Sequence, residues 1–175
     1  AARRSSASGS TTPTPGAANV ALKTNIGPFV SDVTKNPTPR PVGGAGSAPL
    51  VITAKVRQSL RPLAGNPMRL AYRIMYNAEQ PLITMTNLGV LPGDPPDLRT
   101  YTAQIPTTAL GPGQMIRWRI IALDNTAVQS TSPEYPDPND TEQYYGTVAV
   151  DPSIESNLPV LYWFIQDPNA PNASG

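Results

Sequence analysis

From Leu50 onward, apolar residues recur at every second position in one short segment after another. Leu50, Ile52, Ala54 and Val56 alternate with Val51, Thr53, Lys55 and Arg57. Met68, Leu70, Tyr72, Ile74 and Tyr76 alternate with Arg69, Ala71 and Arg73, and Ile116, Trp118, Ile120 and Ala122 with Arg117, Arg119 and Ile121. Successive strand side chains point to opposite faces, so a period of two predicts strands with one face buried. Shorter sets read the same way: Ile83 and Met85 against Leu82, Thr84 and Thr86, and Tyr101, Ala103 and Ile105 against Thr100, Thr102 and Gln104. Phe29, Val30 and Val33 suggest a short first strand, and Tyr144 to Val150 a late one. Leu158 to Gln166 is an apolar run rich in aromatics.

Turn chemistry separates these segments. Gly65-Asn66 within 63–67, LPGDPPDL at 91–98, Gly111-Pro112-Gly113, Asp124-Asn125 and the Pro-punctuated stretch 129–141 all read as turns or loops. About seven or eight short strands bounded by Gly, Pro or Asn match the signature of a β-sandwich. The expected fold is all-β, an immunoglobulin- or fibronectin-III-like β-sandwich with an extended Pro/Gly/Ser-rich N-terminal tail. Residues 1–27 form the tail or linker, 28–151 the sandwich, and 152–175 an apolar segment leading to a following domain or an interface. A second linker-like stretch, NPTPRPVGGAGSAP, occupies 36–49.

Composition narrows the chemistry. The chain of 175 residues holds 22 Pro and 13 Gly, which penalise helices throughout. Thirteen Lys and Arg against twelve Asp and Glu give a net charge of +1, without the clustered excess that nucleic-acid binding needs. No run approaches the ~18 apolar residues of a membrane span. Ala1 to Ser10 is small and polar; for a protein expected outside the cell, a signal has been removed or the chain is an internal segment. With no Cys and no His, disulfides, thiolate nucleophiles and the commonest general base and metal ligand are all missing. No cofactor is expected, and no catalytic residue is assigned.

Asp94 and Asp97 have the residue type for acid–base work, but their proline-rich loop favours solvated turn-formers. Asp137, Asn139, Asp140 and Glu142 group oxygen ligands suited to Ca²⁺ without the EF-hand order, and an Asx- and Pro-stabilised loop explains them better. Asn139-Asp140-Thr141 and Asn172-Ala173-Ser174 are sequons, making Asn139 and Asn172 candidate glycosylation sites. Arg57, Arg69, Arg73, Arg117 and Arg119 stand on outward faces, either as a basic patch for polyanionic glycans or, more commonly, as solubilising charge. Leu158, Val160, Leu161, Tyr162, Trp163, Phe164 and Ile165 are the candidate interface, since an uncovered apolar run marks an interaction surface.

QYYGTVAVDPSI at 143–154, followed by LPVLYWFIQDP at 158–168, resembles the segment leading into the spore-coat-protein-H kinase-like domain of large secreted proteins. Upstream, Gly27-Pro28, RIMY at 73–76, Met85-Thr86, YTAQIP at 101–106 and GQMIRW at 113–118 look like the immunoglobulin-like module that precedes it. TPTPGAAN at 12–19 is similar to the end of a lamin-tail-type sandwich. The resemblance implies a module between those two domains, with the kinase-like catalytic residues beyond Gly175. The chain departs from that pattern at GDPPD, residues 93–97, where a tighter Gly-Asp-Gly is usual.

The functional expectation is a non-catalytic structural or interaction module of an extracellular or cell-surface protein. Its partners are other protein domains or neighbouring copies joined by β-strand addition, in a filament or other assembly. A carbohydrate-binding module using Tyr135, Tyr144 or Trp163, and an accessory module orienting a downstream kinase-like domain, are the alternatives.

Overall fold

Nine strands form among the described residues: β1 (Phe29–Asn36), β2 (Leu50–Arg57), β3 (Leu63–Ile74), β4 (Ile83–Thr84), β5 (Thr86–Gly89), β6 (Leu98–Ile105), β7 (Met115–Asp124), β8 (Gln129–Ser132) and β9 (Tyr145–Val148). The computed structural model describes residues 25–38, 40–134, 143–156 and 158–164. Every pairing is antiparallel. One sheet has the order β1-β2-β6-β5, and the other β4-β3-β7-β8 with β9 also paired to β7. The chain is therefore all-β with two antiparallel sheets, consistent with a β-sandwich.

The alternation seen in sequence becomes the core. Leu50, Ile52, Ala54 and Val56 of β2 join Tyr101, Ala103 and Ile105 of β6, and face Met68 and Leu70 of β3 and Ile116, Trp118, Ile120 and Ala122 of β7. Each Leu or Ile removed from water in this way contributes roughly 1.5–3 kcal/mol against chain entropy. Trp118 stacks on Tyr145 with ring centroids 6.1 Å apart, sealing the β9 end.

Four local expectations are corrected. Gly65-Asn66 is not a turn between strands: Leu63 pairs with Asp124 and Met68 with Ala122, so the intervening residues loop out as a wide bulge within β3. The segment 82–86 is not one strand. β4 pairs with β3 and β5 with β6, so the chain changes sheets at Met85, whose side chain is buried in the core. Residues 129–132, expected as loop, form β8 along β7. Ala71 faces away from the core as predicted, yet is fully buried opposite Arg119.

β8 and β9 are two halves of a single edge strand. Ser132 pairs with Ile120 and Tyr145 with Trp118, so the chain leaves this edge after Ser132 and rejoins it at Tyr145, on either side of the position facing Arg119. The Ser132 and Tyr145 hydroxyls share a hydrogen bond of 2.7 Å, joining the two halves of the edge.

The β7–β8 turn is organised by Asp124, which is buried although charged. Its Oδ1 accepts hydrogen bonds from the Thr126 amide at 2.8 Å, the Thr126 hydroxyl at 2.9 Å and the Val128 amide at 2.9 Å. Its Oδ2 accepts from the Asn25 amide side chain. Gly27 follows closely against β8: a Cβ there would lie 2.6 Å from the Gln129 carbonyl carbon, so only glycine permits this approach.

Burial opposes ionisation of Asp124, but the hydrogen bonds from Asn25, Thr126 and Val128 prevail and hold its carboxyl below the ordinary carboxylate range. The charged form thus stabilises the fold above the unfolded-state pKa of about 4, and that contribution disappears as pH falls through the lowered native value. Asp124→Asn keeps an acceptor for Thr126 and Val128 but turns a donor toward Asn25, and it no longer titrates. Thermal-unfolding midpoints of wild type and Asp124→Asn should therefore differ at neutral pH and converge toward pH ~2. A gap that stays constant over that range contradicts this assignment.

Candidate functional site

Two surfaces combine chemistry with exposure. The first is the outer face of the second sheet, where the register of β3 and β7 sets Arg73 directly opposite Arg117 and Ala71 opposite Arg119. Like charges placed opposite one another repel, so the face needs compensation. Glu79, in the β3–β4 connection, supplies part of it. Arg119 donates to it as a fork, Nε to Oε1 at 2.8 Å and Nη2 to Oε2 at 3.0 Å. The Tyr144 hydroxyl donates to the same Oε1. Arg117 also donates from Nη2 to the Met75 carbonyl.

Aromatic rings complete the arrangement. The Arg73 guanidinium lies 4.3 Å from the Tyr144 ring centroid, with Arg117 at 5.5 Å and Arg119 at 5.7 Å from the same ring. Arg117 also lies 4.9 Å from the Tyr76 ring. Such contacts are worth about 0.5–2 kcal/mol each, more where water is excluded. Burial works against the Glu79 charge, but hydrogen bonds from Arg119 and Tyr144 and the charges of Arg119 and Arg73 hold its carboxyl below the usual range. Burial, followed by the charge of Arg73, lowers the pKa of Arg117, while Tyr76 and Tyr144 act in the opposite sense.

The five arginines singled out in the sequence do not form one patch. Arg57 belongs to the other sheet and pairs with Asp97 at 2.9 Å, and Arg69 stands across from Ile121. Arg73, Arg117 and Arg119 do come together. Glu79, in a connection between strands, and Tyr144, at the start of the late strand, carry no sequence signal that pairs them with these arginines.

Asp94 and Asp97 are not the free turn carboxylates that their loop suggests. The loop folds over the outer face of the first sheet, where Lys55 Nζ lies 2.7 Å from Asp94 and 3.4 Å from Asp32. Hydrogen bonding to Asp94 raises the Lys55 pKa, with burial opposing. Each of the two aspartates thus answers a cation of β2, and they do not act as a pair.

The second surface is the segment 158–164. It adopts no strand; residues 158–161 are all exposed, and exposure alternates only from Leu161 to Phe164. Tyr162 and Phe164 are half-buried and stacked at 6.4 Å, and Arg40 donates from Nη1 to the Tyr162 hydroxyl at 3.0 Å. Leu158, Leu161 and Trp163 are 75%, 83% and 79% exposed, and Val160 is also exposed. Ile165, Tyr135, the grouped oxygen residues Asp137, Asn139, Asp140 and Glu142, and the sequon residues Asn139 and Asn172 lie outside the described residues. Among the described residues no helix is long and apolar enough to cross a membrane. A shallow cavity of about 370 Å³ opens between Tyr72, Ile74, Gln80, Pro106 and Gln114.

Compared with known protein families the chain matches none, and no characterised protein matches it in sequence.

The Glu79–Arg119 fork is mostly screened from water, so its removal should be measurable. Glu79→Ala is expected to lower the unfolding free energy at neutral pH by about 1–3 kcal/mol. In a double-mutant cycle with Arg119→Ala the coupling should be about 0.5–3 kcal/mol. Because Glu79 has a lowered pKa, the coupling should fade as pH drops through its native value. Denaturant titrations giving zero coupling at pH 7 would rule out the fork as a structural element.

Proposed function

We propose that the chain is a non-catalytic interaction module of an extracellular or cell-surface protein, built to hold an apolar docking segment on a rigid two-sheet frame. The observation that carries this reading is the exposure of Leu158, Leu161 and Trp163 within one short segment. Apolar residues scattered singly on a surface are ordinary, whereas a contiguous set marks a surface that another protein covers. Arg40 holds Tyr162, so the segment is presented from the domain rather than left to wander. The partner is a neighbouring copy or an adjoining domain, and repetition of such a contact builds a surface filament or assembly.

Three further features fit. The pairing orders β1-β2-β6-β5 and β4-β3-β7-β8 correspond, strand for strand, to the A-B-E-D and C′-C-F-G sheets of immunoglobulin-like sandwiches. Asp94 and Asp97 are committed to Lys55 and Arg57, which leaves them poorly placed for proton transfer. The resemblance of 143–168 to the approach of a spore-coat-protein-H kinase-like domain gives the segment a second destination, a docking face on a following domain that this module orients. The 79% exposure of Trp163 also favours a carbohydrate platform as the secondary reading. Tyr144, engaged with Glu79 and the arginines, is not available to extend that platform.

Sedimentation velocity over a wide concentration range tests the self-association form of this reading. The wild-type chain should form larger species as concentration rises, and Leu161→Ser with Trp163→Ser should abolish them while leaving the unfolding midpoint unchanged. A chain that stays monomeric throughout contradicts self-assembly. Quenching of Trp163 fluorescence by neutral oligosaccharides, with self-association absent, would favour the carbohydrate reading instead.

A further inference from the structure

We propose that the outer face of the second sheet binds a tetrahedral oxyanion, a sulfate or phosphate monoester, on the guanidinium groups of Arg73 and Arg117. This site is separate from the segment 158–164 and does not depend on the docking role given to it. Three observations converge. Arg73 and Arg117 are register partners across the β3–β7 ladder, so their side chains leave the sheet side by side. Neither forms an ion pair among the described residues: Glu79, the described carboxylate beside the cluster, is bound through both oxygens to Arg119. Arg73 donates no hydrogen bond to any described residue, and the Nε atoms of both Arg73 and Arg117 are buried without an acceptor.

Two guanidiniums on paired positions, neither with an ion pair of its own among the described residues and with Glu79 offsetting them only in part, repel one another, and an anion would relieve that repulsion. Burial, and after it the neighbouring Arg73 charge, depress the Arg117 pKa, in keeping with that repulsion. The Tyr144 and Tyr76 rings lie against the guanidiniums, at 4.3 Å for Arg73 and 4.9 Å for Arg117. That stacking preorganises the two forks, so an arriving anion orders little. The Met75 carbonyl takes one Arg117 Nη, leaving its other Nη and the Nη pair of Arg73 as donors.

The shape of the ligand follows from those donors. A planar carboxylate presents two oxygens in one plane and is matched by a single fork, as Glu79 is by Arg119. Arg73 and Arg117 offer donors from two side chains on paired strands, and a tetrahedral monoester has three terminal oxygens with which to meet both. A sulfate ester of a glycan and a phosphate monoester share this chemistry.

The test is an NMR titration of the full chain with inorganic phosphate and inorganic sulfate, against potassium chloride at matched ionic strength. The buried Nε–H resonances of Arg73 and Arg117 are the reporters. Both should move saturably with either oxyanion and not with chloride. Arg73→Gln should weaken binding roughly 10- to 100-fold, the loss of a charge-assisted fork. Arg73→Lys, which keeps the charge but not the fork, should also weaken it. A sulfated disaccharide and a sugar phosphate then distinguish the two sources by which binds more tightly. Absence of saturable shifts, wild-type affinity in Arg73→Gln or Arg73→Lys, or inorganic anions binding while neither ester does, would each overturn the proposal.

Discussion

Strand β7 is the constraint on which the rest of the structure depends, because both of its faces and both of its edges are committed. Its inward row of Ile116, Trp118, Ile120 and Ala122 is buried, and its outward row brings Arg117 and Arg119 to the sheet surface. One edge pairs with β3 over most of its length, while the other takes β8 and then β9. A register slip of one residue would put guanidiniums in the core and isoleucines in water, so the hydrophobic term fixes the register firmly. Once it is fixed, Arg73 has to face Arg117, and Glu79, Tyr144 and Tyr76 follow as the groups that make the crowding tolerable. The polar face is thus a consequence of the apolar one.

The same logic decides what was legible in the sequence. The inward rows of β2 and β7 could be read directly, since strict alternation leaves little choice of face. Local turn chemistry was less decisive. Gly65-Asn66 has the composition of a turn, but Leu63 on the far side still finds Asp124, and tertiary pairing turns the same residues into a bulge. β8 was unreadable because QSTS has no apolar row; it is a strand only because β7 offers it an edge. The change of sheet at Met85 was hidden for the opposite reason, an alternation that continues smoothly while the pairing partner changes. Contacts joining three distant segments, such as Glu79, Arg119 and Tyr144, carry no period at all. The apolar segment 158–164 was visible as apolar, but only the structure distinguishes Tyr162 and Phe164, which lean on the domain, from Leu158, Leu161 and Trp163, which do not.

The molecule therefore divides into a rigid frame and a presented segment. The frame is closed by ladders on both sides of β7, by the aspartate-centred turn at Asp124 and by the arginine–tyrosine layer outside. The segment has no ladder: among the described residues, no backbone amide of 160–164 donates to another backbone carbonyl. Leu158, Leu161 and Trp163 stay in water unless another surface covers them.

Native-state amide hydrogen exchange on the dilute chain tests that separation most directly. The amides of β7 from Ile116 to Leu123 should exchange slowest, through global unfolding, while those of Leu161 to Phe164 should exchange near the unprotected rate. Strong protection of Leu161 to Phe164 at low concentration, where no partner is present, would contradict it, because the segment would then belong to the domain's own fold.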